Sequence, residues 1–305
     1  MNPTVDHHPG RSVAAQGVSG TLTNGAGGRA EFTRAGALRR FELRGLSVLQ
    51  YPAGDLEDGP AGLYLRHRVD GVVVAVTPLL GQRSNATLEW TDRGPVVRTS
   101  VGGVDATVAF RLADSADGAE SADRADSWFW HLRLRNTTDL PLTLDVLHAQ
   151  DVALAPYHAV RNNEYYVSQY LDLTPVPVAG HGVAVAVRQN MPGDRHPWAL
   201  IGCLGECAGW ATDSLQLTGR RRLDGEPLPG LAADLPSRRL QHEHTMAALQ
   251  TAPLLLRPRG IITTGFFGTM VADHPGGDLG RRCSHRPACA RRSGRCGAVL
   301  VGWSS

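Results

Sequence analysis

Apolar and polar residues alternate at every second position through most of the chain, from about residue 20 to residue 271. This period of two is typical of strands that bury one face and expose the other. No stretch of helical length carries apolar residues at every third or fourth position along one side. Together these patterns predict an all-β fold. The clearest alternating segments are residues 63–76, 104–112, 128–135, 140–146 and 183–187.

Short polar turns separate the strands and indicate how they connect. Asp70-Gly71 is a strong signal for a two-residue hairpin turn, and Asn136–Asp139 predicts another hairpin between its flanking strands. Many strands joined by Gly, Pro and Asp turns are typical of a large antiparallel sandwich. We therefore predict a β-sandwich over residues 20–271, preceded by a flexible segment, residues 1–19.

The end of the chain differs from the rest in composition. Residues 272–305 contain six arginines and three cysteines and lose the strand pattern. Out-of-frame translation of a GC-rich gene produces such a composition, so we expect an irregular tail. Its cysteines lack the Cys-x2-Cys spacing of a zinc knuckle, and His242-Glu243 is followed by Met246 where a zinc helix needs histidine. No metal site is predicted.

The charge balance excludes several classes of partner and mechanism. The formal net charge of +2 is nearly neutral, so neither a nucleic acid nor an acidic membrane is a predicted partner. All 31 Lys-plus-Arg positions are arginine, which excludes mechanisms that need lysine, such as a Schiff base or a Walker-type phosphate loop. Residues 1–20 contain no apolar secretory segment, and no run is long enough for a membrane helix. A cytoplasmic location is therefore expected.

The segment from residue 161 to residue 190 concentrates side chains suited to binding a sugar. Aromatic rings offer flat apolar faces, while amide, carboxylate and guanidinium groups hydrogen-bond to hydroxyls. Two interpretations stay open for its tyrosine-rich part: a loop that reaches a sugar site, or a strand in which Tyr166, Ser168 and Tyr170 share one face. The predicted substrate-binding residues are Asn163, Glu164, Tyr165, Tyr166, Gln169, Tyr170, Arg188, Gln189, Asn190 and, beyond this segment, Trp198.

A set of ordered blocks, rather than one motif, carries a family resemblance over most of residues 45–272. Besides the tyrosine-rich segment, the blocks are Tyr51-Pro52, residues 59–66, Thr77–Gly81, His196–Leu200, Ala211–Asp213, Thr218–Arg220, Arg239–His244 and Ala248–Gln250. In this order they resemble the N-terminal β-sandwich domain of glycoside hydrolase family 94, which includes the cellobiose phosphorylases. Residues 51–66 are similar to the 1,2-β-oligoglucan phosphorylase branch in particular.

The resemblance implies a fold and an activity for the longer relatives. Their sandwich is of the galactose-mutarotase type, and its loops help to form the active site. The relatives cleave β-linked gluco-oligosaccharides with inorganic phosphate as co-substrate and no cofactor, releasing α-glucose 1-phosphate with inversion. Their catalytic acid lies on a helical barrel that follows the sandwich, whereas the resemblance here ends near residue 274. For this chain it implies β-glucan binding or subunit contact in a homodimer, and no catalytic residue.

Two other function classes stay open. A carbohydrate-binding module working alone would bind oligosaccharides without turnover. A mutarotase-like epimerase would need a histidine and a carboxylate that converge in a cleft. The histidines available for such a site are His131, His148, His158, His242 and His244.

Overall fold

The computed structural model of the chain describes residues 19–54, 56, 58–113, 126–219, 228–241 and 244–274. Residues up to Asp273 belong to one compact unit, and His274 begins a second, of which only that residue is described. The predicted flexible segment, residues 1–19, and the predicted tail, residues 272–305, therefore lie almost wholly outside the described residues. No helix in the described part of the chain is long and apolar enough to cross a membrane.

Strands dominate the described residues, which confirms the predicted all-β fold. In this part of the chain, helices are limited to α1 (Tyr157–Asn162), α2 (Glu164–Gln169), α3 (Leu215–Thr218) and a 3-10 turn at Pro229–Leu231. The strands are β1 (Gly20–Thr23), β2 (Arg29–Phe32), β3 (Leu38–Leu43), β4 (Leu46–Ser47), β5 (Gly62–Val69), β6 (Val72–Pro78), β7 (Thr87–Thr91), β8 (Gly94–Val101), β9 (Val104–Leu112), β10 (Asp126–Asn136), β11 (Leu142–Asp151), β12 (Leu171–Val178), β13 (Gly182–Gln189), β14 (Trp198–Cys203), β15 (Cys207–Asp213), β16 (Thr245–Thr251), β17 (Leu254–Leu256) and β18 (Ile261–Val271).

The strands form three antiparallel sheets. A four-stranded sheet has the order β1-β2-β3-β4, and an eight-stranded sheet has the order β12-β13-β14-β18-β10-β9-β8-β7. The third, six-stranded sheet has the order β15-β16-β11-β5-β6, with β17 paired beside β11. Strands such as β5 and β10 alternate buried and accessible residues over most of their length, as strands of sheets packed face to face require.

One of the two predicted hairpins is confirmed and the other is wrong. β5 and β6 pair about Asp70-Gly71, whose positive φ angles of 49° and 81° fit a tight hairpin turn. β10 and β11, however, belong to different sheets. The buried Asn136 side chain donates to the carbonyl oxygens of Leu140 (2.7 Å) and Leu256 (3.2 Å), so it forms a corner between the sheets. Alternation alone cannot distinguish a corner from a hairpin, since both begin and end with strands.

A cluster of aromatic side chains joins the sheets at the centre of the core. Several ring pairs meet edge to face: Phe110 and Trp130 have centroids 4.7 Å apart, and Phe41 and Trp128 have centroids 5.1 Å apart. Such pairs add about 0.5–1.5 kcal/mol to the free energy gained from burial alone. Rings from all three sheets take part, namely Phe32, Phe41, Phe110, Trp128, Trp130, His148 and Phe266.

A buried ion pair attaches the segment from residue 228 to residue 235 to the outer face of the six-stranded sheet. Arg66 and Asp145 are fully buried, and the Arg66 Nε lies 2.6 Å from the Asp145 Oδ1. The same guanidinium donates to the backbone carbonyls of Leu231 (3.1 Å) and Ala233 (2.6 Å). Arg68 bonds both Asp145 and Asp234. The charges are therefore balanced and hydrogen-bonded, as burial of an ion requires.

Replacing Gly268 with alanine should destabilise the protein, because a Cβ there would lie 1.9 Å from the Trp128 Cζ2. Overpacking of a core costs about 1–3 kcal/mol of unfolding free energy. The matched control is Gly205→Ala, whose new Cβ would meet no atom within 4 Å. Denaturant unfolding of both variants checks this; equal loss of stability in the two would contradict the assigned packing at Trp128.

Candidate functional site

Six of the ten predicted binding residues lie on α2 or at its two ends, between β11 and β12. The Asn163 Oδ1 accepts a hydrogen bond from the Tyr166 backbone N–H (3.0 Å), so Asn163 is the N-cap of α2. Glu164 in the first turn further favours a helix start. The predicted strand, with Tyr166, Ser168 and Tyr170 on one face, is therefore wrong: Ser168 is buried while Tyr166 is exposed. The capping residue outweighs the apparent alternation in so short a segment.

Tyr166 and Tyr170 form a paired aromatic surface. They are four residues apart, which places their side chains on one side of the helical turn. Their ring centroids are 4.9 Å apart at an interplanar angle of 64°, and the Tyr170 hydroxyl donates to the Tyr166 hydroxyl (3.1 Å). This hydrogen bond raises the pKa of Tyr170. A phenolic hydroxyl both donates and accepts hydrogen bonds, so the pair offers both functions to a ligand.

The adjacent Tyr165 makes a separate contact, with the six-stranded sheet. Its ring meets His244 edge to face, with centroids 5.4 Å apart, and His244 immediately precedes β16. Half of the Tyr165 side chain stays exposed. Gln169, at the end of α2, is also exposed. The helix thus presents Tyr165 on one side and Tyr166 with Tyr170 on another.

Gln189 supports the helix from beneath rather than joining the exposed surface. Its side chain is buried, and its Nε2 donates to the backbone carbonyls of Ala153 (2.9 Å) and Val167 (3.2 Å). Its Oε1 accepts from the Met191 backbone N–H (3.0 Å). The amide predicted to bind substrate is therefore used to connect β13 with the segment after β11 and with α2.

Arg188 and Trp198 lie on the other face of the eight-stranded sheet from Gln189. The two are cross-strand neighbours in the β13–β14 pair, and successive side chains of a strand point to opposite faces. Trp198 is 9% exposed. Arg188 donates through Nε to the Asn190 Oδ1 (3.0 Å), and the Asn190 backbone N–H donates to the Tyr170 carbonyl (2.9 Å). Asn190 thus links Arg188 to the tyrosine pair, whereas Trp198 is part of the sheet.

We define the tyrosine surface as Tyr166, Gln169, Tyr170, Arg188 and Asn190. Except for Arg188, which is partly buried, and Tyr170, which is half-buried, these side chains are exposed. Together they offer two rings, two hydroxyls, two amides and one guanidinium. This combination can stack on a flat apolar face and hydrogen-bond to neighbouring hydroxyls.

Sequence reasoning missed the buried polar residues that support α2 from the sheet side. Gln50 donates through Nε2 to the Glu164 carbonyl (2.8 Å), which attaches the start of α2 to the segment after β4. The Asp151 Oδ2 accepts the backbone N–H groups of Gln50 (2.9 Å) and Tyr51. A carboxylate at the end of a long apolar strand was the only available signal in the sequence. These contacts hold the residue 50–51 segment beneath α2.

Burial has the largest effect on the pKa values of Asp151 and Tyr51. Desolvation raises the pKa of Asp151 to about 7, although the two backbone hydrogen bonds act in the opposite direction. The pKa of Tyr51 is raised to about 12, mainly by burial and further by the nearby Tyr165, Glu164 and Asp151. The Asp151 Oδ1 and the Tyr51 hydroxyl have no hydrogen-bond partner among the described residues. Asp151 is 1% exposed, so its proton cannot reach a sugar on the tyrosine surface.

Two of the histidines considered for an epimerase, His131 and His148, lie against aromatic rings. His148 packs against Phe266, with centroids 5.0 Å apart, and burial lowers its pKa to about 3, so it is neutral in the core. His131 stacks on Phe129 on the opposite face of the eight-stranded sheet. His242 lies outside the described residues. Within the described ranges, no three His, Cys, Asp or Glu side chains come together in a way that could hold a metal ion.

In a comparison with protein families, residues 31–268 match the family described as the SOGP N-terminal domain. A curated relative, the 1,2-beta-oligoglucan phosphorylase of Listeria innocua serovar 6a, is 31% identical over 224 residues. The alignment covers 73% of this chain and 19% of that protein. The chain thus spans about a fifth of the length of the relative.

Solved structures with detectable similarity are more distant. A polysaccharide lyase has a TM-score of 0.42 and 12% identity, covering 79% of this chain and 31% of that chain. The Slr1438 protein from Synechocystis sp. PCC 6803 has a TM-score of 0.40 and 8% identity, covering 89% of this chain and 100% of that chain.

The replacement Asp151→Asn should change how stability depends on pH. Because folding raises the pKa of the Asp151 carboxyl, the folded protein holds the proton more tightly than the unfolded chain does. The resulting stabilisation is complete below pH 4 and is lost as the pH rises toward 7. Asparagine keeps the acceptor oxygen without the charge. The variant's free energy of unfolding, minus that of the parent, should therefore increase between pH 4 and pH 7, with a slope of roughly 1.4 kcal/mol per pH unit at most.

Urea unfolding at several pH values measures this difference, and subtracting the parent curve removes the opposing contribution of His148. The control is Asp139→Asn, which removes a surface carboxylate 3.0 Å from the Arg259 Nε. A difference curve for Asp151→Asn as flat as that of the control would show that Asp151 is already ionised without cost in the folded protein.

Proposed function

The chain belongs to the SOGP N-terminal domain family, and from this premise we propose that it acts as the N-terminal region of a glycoside phosphorylase. The proposed substrate class is β-linked gluco-oligosaccharides, with β-1,2 linkages preferred. The proposed role of this chain is to bind the oligosaccharide. Proton transfer to the leaving group is assigned to other parts of the longer relatives.

The relationship to the 1,2-beta-oligoglucan phosphorylase is the observation that carries this proposal. The family match, residues 31–268, includes 15 of the 18 strands in full, together with α1 and α2. The curated relative is 31% identical over 224 residues. The tyrosine surface is therefore part of the related region, and its chemistry can be compared with what an oligosaccharide needs.

The tyrosine surface supplies the contacts that a glucose unit uses. The sugar ring has apolar C–H faces that pack on aromatic rings, and Tyr166 with Tyr170 provides two such rings at an angle. The exposed amide groups of Gln169 and Asn190 and the nearby Arg188 guanidinium can pair with adjacent hydroxyls.

Inverting phosphorolysis needs one carboxylic acid beside the leaving oxygen and inorganic phosphate as the nucleophile. Glu164 is the carboxylate of α2, and its Oε1 lies 3.4 Å from Arg161 on the helix surface. Its backbone carbonyl, rather than its side chain, accepts the hydrogen bond from Gln50. We therefore assign Glu164 to sugar binding or helix stability and assign no catalytic residue in this chain. The homodimer implied by the family resemblance stays a prediction.

Tyr166→Ala combined with Tyr170→Ala should weaken binding of β-1,2-linked gluco-oligosaccharides. Loss of one aromatic contact is worth about 1 kcal/mol, or about fivefold in Kd, and the double variant should lose more. Tyr166→Phe with Tyr170→Phe keeps both rings, so it separates stacking from hydroxyl contacts. Isothermal titration calorimetry measures each Kd, with cello-oligosaccharides as the linkage comparison.

The matched control is Tyr157→Ala, an exposed tyrosine on α1 outside the tyrosine surface. Equal Kd values for the parent, the control and the double alanine variant would place the sugar elsewhere. Equal affinity for β-1,2-linked and β-1,4-linked chains would instead favour a carbohydrate-binding module without the proposed linkage preference.

A further inference from the structure

Two cysteines flank the short connection between the eight-stranded and six-stranded sheets. Cys203 is the last residue of β14, and Cys207 is the first residue of β15. The three residues between them are held at both sides: the Leu204 backbone N–H donates to the Gly265 carbonyl (2.8 Å), and the Glu206 carbonyl accepts from Ala252 (2.9 Å). The two ends of the connection are therefore fixed relative to each other.

The two thiols are hydrogen-bonding neighbours and are not joined in a disulfide. The Cys203 thiol hydrogen-bonds to the Cys207 sulfur. Both side chains are buried in the main core, at 5% and 8% exposed. The Cys207 sulfur also lies 3.3 Å from the Gly209 carbonyl oxygen. Contact between two thiols on fixed strand ends is the arrangement from which a disulfide forms with little movement.

The immediate surroundings make the two thiols chemically unequal. The hydrogen bond from Cys203 lowers the pKa of Cys207 to about 7, and backbone groups of Val183 and Gln250 act in the same direction. The same hydrogen bond, together with burial, raises the pKa of Cys203. The Cys207 thiolate is the stronger candidate for the attacking nucleophile, because the thiolate is the reactive form.

We propose that Cys203 and Cys207 form a thiol–disulfide site that hydrogen peroxide oxidises. This site is distinct from the tyrosine surface and does not depend on the proposed function. Burial of both sulfurs excludes bulky oxidants, whereas a peroxide molecule is nearly as small as water. The chemistry follows the ordinary oxidation sequence of a cysteine pair.

The reaction takes place in two balanced steps. The Cys207 sulfur attacks one peroxide oxygen, the O–O bond breaks, and Cys207 becomes a sulfenic acid as one water is released. The Cys203 sulfur then attacks the Cys207 sulfur, the S–OH bond breaks, and a second water leaves with the Cys203 proton. In total, two thiols and one hydrogen peroxide give one disulfide and two waters.

Peptide mapping of the full chain after peroxide treatment tests the proposal directly. Trypsin cleavage after Arg195 and Arg220 releases residues 196–220, which contain Cys203 and Cys207 and no other cysteine. The cysteines at 283, 289 and 296 fall on other peptides. With free thiols alkylated before digestion, the treated peptide should lack alkyl groups and weigh two hydrogen atoms less than the unalkylated, reduced peptide. Dithiothreitol should restore it.

Two serine variants identify the attacking sulfur. Cys203→Ser leaves Cys207 without its resolving partner, so peroxide should produce a sulfenic acid at Cys207 that dimedone labels. In Cys207→Ser, dimedone should label Cys203 at least about tenfold more slowly, because burial by itself still raises the pKa of that thiol. Circular dichroism and thermal unfolding of both variants show whether they fold as the parent does.

Two results would overturn the proposal. One is a parent peptide that stays fully alkylated at peroxide concentrations that oxidise the cysteines of the other peptides. The other is a parent peptide that reaches a sulfinic acid at Cys207 while Cys203 stays alkylated, because this would show that the two sulfurs do not meet in solution. Equal dimedone labelling of the two variants would refute the assignment of Cys207 as the attacking sulfur.

Discussion

Edge-to-face packing of aromatic rings at the centre of the core is the interaction on which the architecture depends. Phe32 and Phe41 come from the four-stranded sheet, Trp128 and Trp130 from the eight-stranded sheet, and His148 from the six-stranded sheet. Neither the four-stranded nor the six-stranded sheet could move relative to the eight-stranded sheet without separating some of these rings. The absence of a side chain at Gly268 is part of the same constraint, since the Trp128 ring occupies the space where a Cβ would lie. A rigid sandwich of this kind can carry short helices on its rim.

The helices that carry the tyrosine surface could not form alone. Each of α1 and α2 has six residues, which is far below the length at which an isolated helix is stable in water. Buried polar side chains stabilise α2: Gln50 and Gln189 donate to its backbone carbonyls, and Asp151 accepts from the Gln50 backbone N–H. Val160 and Val167 form a small apolar cluster with Ala153 and Ala155, which follow β11. The position of the tyrosines is therefore a property of the sandwich.

The residues that hold α2 in place are different from the residues proposed to bind a ligand. The polar side chains that hold α2 in place are buried and hydrogen-bond to backbone groups. The rings and hydroxyls on the outer side of α2 are accessible. Gln189 and Asn190 are adjacent in sequence, yet one lies beneath the helix and the other beside Tyr170 at the surface. Such a division allows the exposed residues to adapt to a ligand without loss of stability. It fits a chain whose curated relative is a phosphorylase and whose own proposed role is binding.

The alternating pattern by itself determined the all-β class, the β5–β6 hairpin and the burial of Trp128 and Trp130, because strand periodicity depends only on neighbouring residues. The sequence blocks determined the family, since they keep their order along the chain. Only the tertiary structure decided that β10 and β11 enter different sheets, that the tyrosine segment is helical, and that Gln189 is buried. Each of these depends on hydrogen bonds or packing between residues far apart in the chain, as between Asn136 and Leu256. Local periodicity contains no information about such partners.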